Sequence, residues 1–90
     1  MSDTTERKPA ARWSVPRQHI RWLMARVHVG TPDTEVAADM RHRCAIANCN
    51  ARKAGAKAAL TESRIRQCIA FALAEHARNR ALFLRVQQGV

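Results

Sequence analysis

Residues 60–86 read LTESRIRQCIAFALAEHARNRALFLRV and lie in the longest stretch of the chain without glycine or proline. Thr61 can cap a helix here, because its side chain can accept from the free amides of the first turn. Glu62 at the start and Arg85 near the end suit the two ends of the helix dipole. The stretch therefore predicts a long helix over 61–87, and the rest of the fold is expected to cover it.

The predicted long helix has one broad apolar face and a second, mixed face. At about 100° per residue, the apolar face collects Ile65, Cys68, Ile69, Ala72, Leu73, His76, Phe83, Leu84 and Val86. A face this wide is typical of a helix covered by two others. The mixed face alternates arginines with apolar residues: Arg64, Phe71, Arg78, Leu82 and Arg85. Phe71 and Leu82 either bury against the tail or a neighbouring helix, or dock a partner or a second copy.

The segment before Gly30 predicts a first helix over 14–29, with Ser14 as its cap and Pro16 in the first turn. Its expected core stripe is Pro16, Ile20, Leu23, Met24 and Val27. On the opposite side lie His19, Trp22 and Arg26. Trp22 either stacks on a base or anchors a protein contact, or it packs under the tail or against the third helix.

A second helix is predicted over 32–54, with Thr31 as its cap and Pro32 in its first position. Its acids precede its bases, so the helix dipole explains these charges without a ligand. A narrow stripe of mostly small side chains should face the core: Val36, Met40, Cys44, Ala47, Ala51 and Ala54.

The length and the segment pattern predict one all-α domain. Ninety residues suffice for a modest single core. Residues 1–12 are polar and are expected to form a disordered tail, whereas bulky apolar residues begin at Trp13 and predict a domain over 13–90. We expect a three-helix bundle with the long C-terminal helix at its centre. Neither a membrane span nor a signal peptide is predicted, which favours a cytoplasmic protein.

The chain is strongly basic, with a formal net charge of +9 from thirteen arginines and three lysines against seven acids. Such a balance favours a polyanion or an acidic protein surface as the partner, and arginine favours bidentate contacts with phosphate or carboxylate. Genome composition is an alternative cause of the arginine excess, because alanine and arginine both have GC-rich codons. The excess of bases falls mainly in the first and third predicted helices.

Two predicted helices flank the turn around Gly30, as in a helix-turn-helix motif. The motif requires a small residue, glycine four positions later and an apolar residue six further on. Counting from Ala25 gives Val29 and Glu35, so the register fails. The second helix is also acidic at the end that would meet DNA.

Neither a zinc site nor an active site emerges from the spacing of the candidate residues. Cys44 and Cys49 would point about 140° apart on a helix, and the chain has no CxxC pair. The three cysteines are therefore interpreted as buried thiols. His76 lies beside Glu75, but adjacent helix positions diverge, so His76 is interpreted either as a satisfied core histidine or as a pH-sensitive packing residue. No metal, cofactor or enzymatic activity is expected.

Two functions remain open from the sequence. One is a basic accessory protein that binds DNA or RNA through phosphate contacts with little base readout. Its predicted nucleic-acid-binding residues are Arg17, Arg21, Arg26, Arg64, Arg78 and Arg85. The other is a small adaptor or inhibitor that binds an acidic protein surface, or a second copy, through Trp22 or through the Phe71 and Leu82 face.

Overall fold

The structure is a computed structural model that describes residues 13–55 and 60–89. The described residues form three helices and no strand: α1, Arg17–Met24; α2, Asp33–Lys53; and α3, Glu62–Gln88. The all-α, three-helix architecture predicted from the sequence is confirmed. The tail predicted over 1–12 lies outside the described residues.

Helix α1 runs parallel to α3 along one side of it. Arg21, in the middle of α1, reaches Glu75, and the carbonyl oxygen of Met24 at its end accepts a hydrogen bond from Asn79 at 3.1 Å. Residue numbers therefore rise together along the two helices. α1 consequently stops at the level of Asn79, well before α3 ends.

Helix α2 runs antiparallel to α3 on the other side. Asn48, near the end of α2, bonds the backbone of Leu60 just before α3. Asp33, the first residue of α2, pairs with Arg80 at 3.0 Å. Both shorter helices thus pack on α3, which confirms its predicted central position.

The first helix is shorter than predicted at both ends. It begins at Arg17 after Pro16, and no side chain caps it, so Ser14 is not the cap. It stops at Met24 because the amides of Arg26 and Val27 bond to carbonyls three residues back. These bonds close a tight final turn. The prediction that the helix continues to residue 29 was therefore wrong.

Of the caps predicted for the other two helices, one is wrong and one is confirmed. Pro32 precedes α2 in an extended conformation and no side chain caps this helix, so Thr31 is not its cap. Thr61 does cap α3: its hydroxyl accepts from the amide of Arg64 at 3.2 Å. α3 then runs to Gln88 and ends at Gly89.

The core lies where α1 and α2 meet α3. Its buried members come from all three helices: Ile20, Met24, Val36, Met40, Cys44, Cys68, Ala72 and His76. All eight belong to the predicted core stripes. The narrow stripe of α2 ends earlier than predicted, because Ala47 and Ala54 are exposed.

The predicted core face fails over the last turns of α3. Phe83, Leu84 and Val86 are 44%, 49% and 67% exposed, not buried. The reason is the length of the neighbouring helices, because α1 ends beside Asn79 and α2 begins beside Arg80. Residues 81–88 are all exposed. They extend α3 by roughly 12 Å beyond the bundle, and we call them the overhang.

Candidate functional site

Two arginines of α1 lie over one aromatic ring of α3. The guanidinium carbons of Arg17 and Arg21 are each 5.7 Å from the centroid of the Phe71 ring. Phe71 is half-buried and packs against the core, so its ring is a fixed platform. Cation–π attraction at this distance holds both guanidinium groups close to the surface between α1 and α3.

A second arginine–aromatic pair lies further towards the start of α3. Arg64 stands 5.2 Å from the centroid of the Trp13 ring. Trp13 precedes α1 and is half-buried against the core. The sequence marked Trp13 only as the domain edge. Its role was missed because no local pattern links it to Arg64; the parallel packing of α1 on α3 brings them together.

Glu75 joins a third arginine to the same surface. Its Oε2 lies 3.4 Å from Nε of Arg21 and 3.9 Å from a terminal nitrogen of Arg78. Its side chain is only 13% exposed, so the carboxylate is held beneath the two guanidinium groups. We use the term basic face for the surface of these residues: Trp13, Arg17, Arg21, Arg64, Phe71, Glu75 and Arg78.

The structure does not bring the other two predicted arginines onto the basic face. Arg85 lies on the overhang, about 10 Å along α3 from Arg78. Arg26 stacks on the indole of Trp22 at 3.7 Å and donates to the carbonyl oxygen of Trp22 at 3.2 Å. Trp22 is 57% exposed and lines a shallow depression with Gln18, His19 and Leu23. This aromatic pair faces away from the core.

Most of the remaining arginines in the described part of the chain are held in ion pairs. Arg41 makes a bidentate pair with Glu62 at 3.0 and 3.1 Å, and Arg66 bonds the same carboxylate at 3.1 Å. The hydrogen bonds from Arg41 and then Arg66 hold the pKa of Glu62 below its ordinary value. The other pairs are Arg43 with Asp39 and Arg80 with Asp33.

The pairing divides the arginines between the two sides of α3. Within the described residues, five arginines form no ion pair, and all but Arg52 were predicted to bind nucleic acid: Arg17, Arg26, Arg52, Arg64 and Arg85. The ion-paired Arg41, Arg43 and Arg66 all lie on or beside α2, and Arg80 pairs with its first residue. Most of the unpaired arginines in the described part of the chain therefore lie on the side of α1 and on the overhang, while Arg52 and Lys53 add unpaired charge at the end of α2.

The two apolar residues of the mixed face have different surroundings. Phe71 is half-buried beneath the arginines of α1, as the interpretation of burial against a neighbouring helix required. Leu82 is 47% exposed on the overhang. Phe71 and Leu82 therefore do not form one open docking face, because the arginines cover the first and leave the second accessible.

The cysteines are not all buried. Cys44 and Cys68 are buried and adjacent across α2 and α3, but Cys49 is exposed, which corrects the interpretation of three core thiols. Burial raises the pKa of Cys68 to about 11 and also raises that of Cys44. Across residues 13–55 and 60–89, no group of three or more metal-ligating side chains is close enough to hold an ion.

His76 is fully buried, and one of its two ring nitrogens is hydrogen-bonded, whereas Nδ1 has no partner within the described residues. Its Nε2 lies 2.8 Å from the carbonyl oxygen of Thr31, which requires a proton on this nitrogen. The neighbouring Glu75 pairs with Arg21 and not with His76, as the divergence of adjacent helix positions predicts. The histidine therefore ties the turn before α2 to the core of α3.

Comparison with protein-family models, with curated protein sequences and with solved structures found no match. None of the described helices combines the length and the apolar character needed to cross a membrane.

Proposed function

We propose that the protein is a small, non-enzymatic accessory protein that binds nucleic acid through phosphate contacts on the basic face. The observation that carries the proposal is the separation of the arginines. Four arginines on or beside α2 or its first residue are paired with acids, and only Arg52 at the end of α2 is not, whereas Arg17 and Arg64 have no acid partner among the described residues. The basic face holds four arginines against the single acid Glu75, and such an excess of positive charge favours a polyanion.

The arrangement of the side chains supports phosphate binding over base readout. Guanidinium groups match phosphate oxygens in bidentate geometry, and the rings of Phe71 and Trp13 hold them near the surface before binding. Those rings carry arginines and are half-buried, so they offer little surface for stacking on a base. Binding should therefore depend little on sequence.

The proposal also includes the compartment of the protein and the type of activity of the basic face. The free thiols, including the exposed Cys49, suit a reducing compartment, so we place the protein in the cytoplasm. No pair of residues on the basic face combines a nucleophile with a base, so we assign it binding and no reaction.

The test is fluorescence anisotropy of labelled duplex and single-stranded oligonucleotides at several salt concentrations. About four neutralised phosphates predict a log–log slope of roughly −3 to −4. Arg17→Ala should weaken binding to all sequences and flatten the slope by about one unit. Arg41→Ala is the matched control, because it removes the same charge from a pair with Glu62. Absence of binding at low salt would overturn the proposal.

An adaptor function remains as the second candidate because Trp22 is exposed and stacked by Arg26. A large aromatic side chain beside an arginine is typical of an interface hot spot. Recovery of the tagged protein before and after nuclease treatment separates the two functions. A protein partner that survives nuclease and is lost with Trp22→Ala supports the adaptor.

A further inference from the structure

The overhang carries four large apolar side chains in a short stretch. Leu82, Phe83, Leu84 and Val86 are between 44% and 67% exposed. No other part of the described chain exposes neighbouring large apolar residues in this way; Trp22 and Ile46 stand singly. A contiguous exposed apolar patch at the end of a helix is typical of an interaction surface.

Three of these side chains lie on one side of α3. Leu82, Phe83 and Val86 fall within about 100° of rotation around the helix axis. The same side holds Cys68 and Ala72 in the core, so the overhang continues the buried stripe of α3. Within the bundle α1 and α2 cover this stripe, and both stop before the overhang. A helix laid beside the overhang would extend the packing of the bundle.

The charges on this part of α3 are all of one sign. After Glu75 the helix contains Arg78, Arg80 and Arg85 and no acid. Arg80 pairs with Asp33 at the bundle end, whereas Arg78 and Arg85 lie along one edge of the apolar side chains, next to Leu82. Two copies paired through their overhangs would bring arginines together, and such like-charge contacts oppose association. A nucleic acid bound to these arginines through its phosphates would leave the apolar side chains exposed to water.

We propose that the overhang docks an amphipathic helix of a partner protein, with acidic residues bordering the apolar stripe of that helix. Leu82, Phe83 and Val86 pack against the apolar stripe of the partner helix, as in other complexes in which a helix binds an apolar surface. Carboxylates of the partner pair with Arg78 and Arg85, which supply register and specificity. Arg78 belongs to both surfaces, but the apolar side chains and Arg85 lie outside the basic face, so the proposal does not depend on nucleic-acid binding.

The test uses a displayed library of 18-residue helical peptides with an apolar stripe and with flanking positions varied among Glu, Lys and Gln. The full chain should enrich peptides with Glu at these positions. For a selected peptide, Leu82→Ser combined with Val86→Ser should weaken binding at least tenfold. Both residues are exposed, so the variant should keep the circular dichroism and melting temperature of the wild type.

Ile46→Ser is the matched control, because Ile46 is equally exposed on the far half of α2. It should leave peptide affinity unchanged. Equal binding by wild type and the double variant would overturn the proposal, because acidic peptides would then bind through charge alone. Selection of neutral or basic peptides would overturn it too. Sedimentation that shows a dimer lost in the double variant would assign the overhang to a second copy instead.

Discussion

The side chain of Asn48 makes two hydrogen bonds to the backbone of Leu60. Its Nδ2 donates to the carbonyl oxygen at 3.0 Å, and its Oδ1 accepts from the amide. The pair is partly buried and joins α2 to the residue that leads into α3. It therefore sets where α3 begins along α2, and with it the register of the two longest helices.

Asn48→Ala should lower the free energy of unfolding by about 1–3 kcal/mol, because two partly buried backbone groups of Leu60 lose their partners. Asn50→Ala is the matched control on the same helix, since Asn50 is exposed and makes no hydrogen bond through its side chain within the described residues. Urea denaturation followed by circular dichroism measures both. Equal stability of the two variants would show that the Leu60 bonds contribute nothing.

Ile69 and Phe83 are expected to differ sharply in their contribution to stability. Ile69 packs against the core, whereas Phe83 is 44% exposed on the overhang. Ile69→Ala should cost about 2–3 kcal/mol, near the lower end for a buried aliphatic side chain. Phe83→Ala should cost less than about 1 kcal/mol. Similar large losses in thermal melts of both variants would mean that the overhang is buried in solution.

The contrast between Ile69 and Phe83 shows what the sequence could predict. Both lie on one face of the long helix, and periodicity placed them together correctly. Periodicity carries no information on where the neighbouring helices stop, so burial was wrongly extended to Phe83, Leu84 and Val86. The end of α1 depends on a local turn and on the hydrogen bond from Asn79 to Met24. This hydrogen bond joins distant parts of the chain, so local sequence patterns do not predict it.

The basic face was foreseen in its residues but not in its pairings. The arginine content and the helical spacing identified Arg17, Arg21 and Arg64 as candidates. The stacking of two of them on Phe71 requires that α1 run parallel to α3, which composition and periodicity do not determine. The role of Glu75 was missed for the same reason, because its nearest partner Arg21 lies on another helix.

Stability should fall at alkaline pH because of the buried thiol of Cys68. Burial raises its pKa from the ordinary 9.0 to about 11 in the folded chain. Stability from the neutral thiol is thus fully present below about pH 9 and is lost between 9 and 11, where the unfolded state releases its proton first. The chain contains no tyrosine, so the other side chains that titrate in this range are the three lysines and the other two cysteines.

Urea denaturation at pH 8 and pH 10.5 measures this loss. In Cys68→Ala the fall between the two pH values should be smaller than in the wild type. In Cys49→Ala it should be unchanged, because Cys49 is exposed. An identical fall in all three proteins would assign the alkaline loss to other groups.

Glu75→Gln should strengthen binding to nucleic acid. Glu75 is the acid of the basic face, and it faces both Arg21 and Arg78. Its replacement by the neutral isostere releases two guanidinium groups, so we expect affinity at low salt to rise about two- to tenfold and the salt slope to steepen.

Glu35→Gln is the matched control, because it changes the net charge of the protein by the same amount. Glu35 is an exposed residue of α2 and has no ion pair within the described residues. Anisotropy titrations of the two variants therefore separate a local effect from the total charge. An equal gain in both would indicate that only net charge matters, and weaker binding by Glu75→Gln would show that the carboxylate holds the arginines in their binding positions.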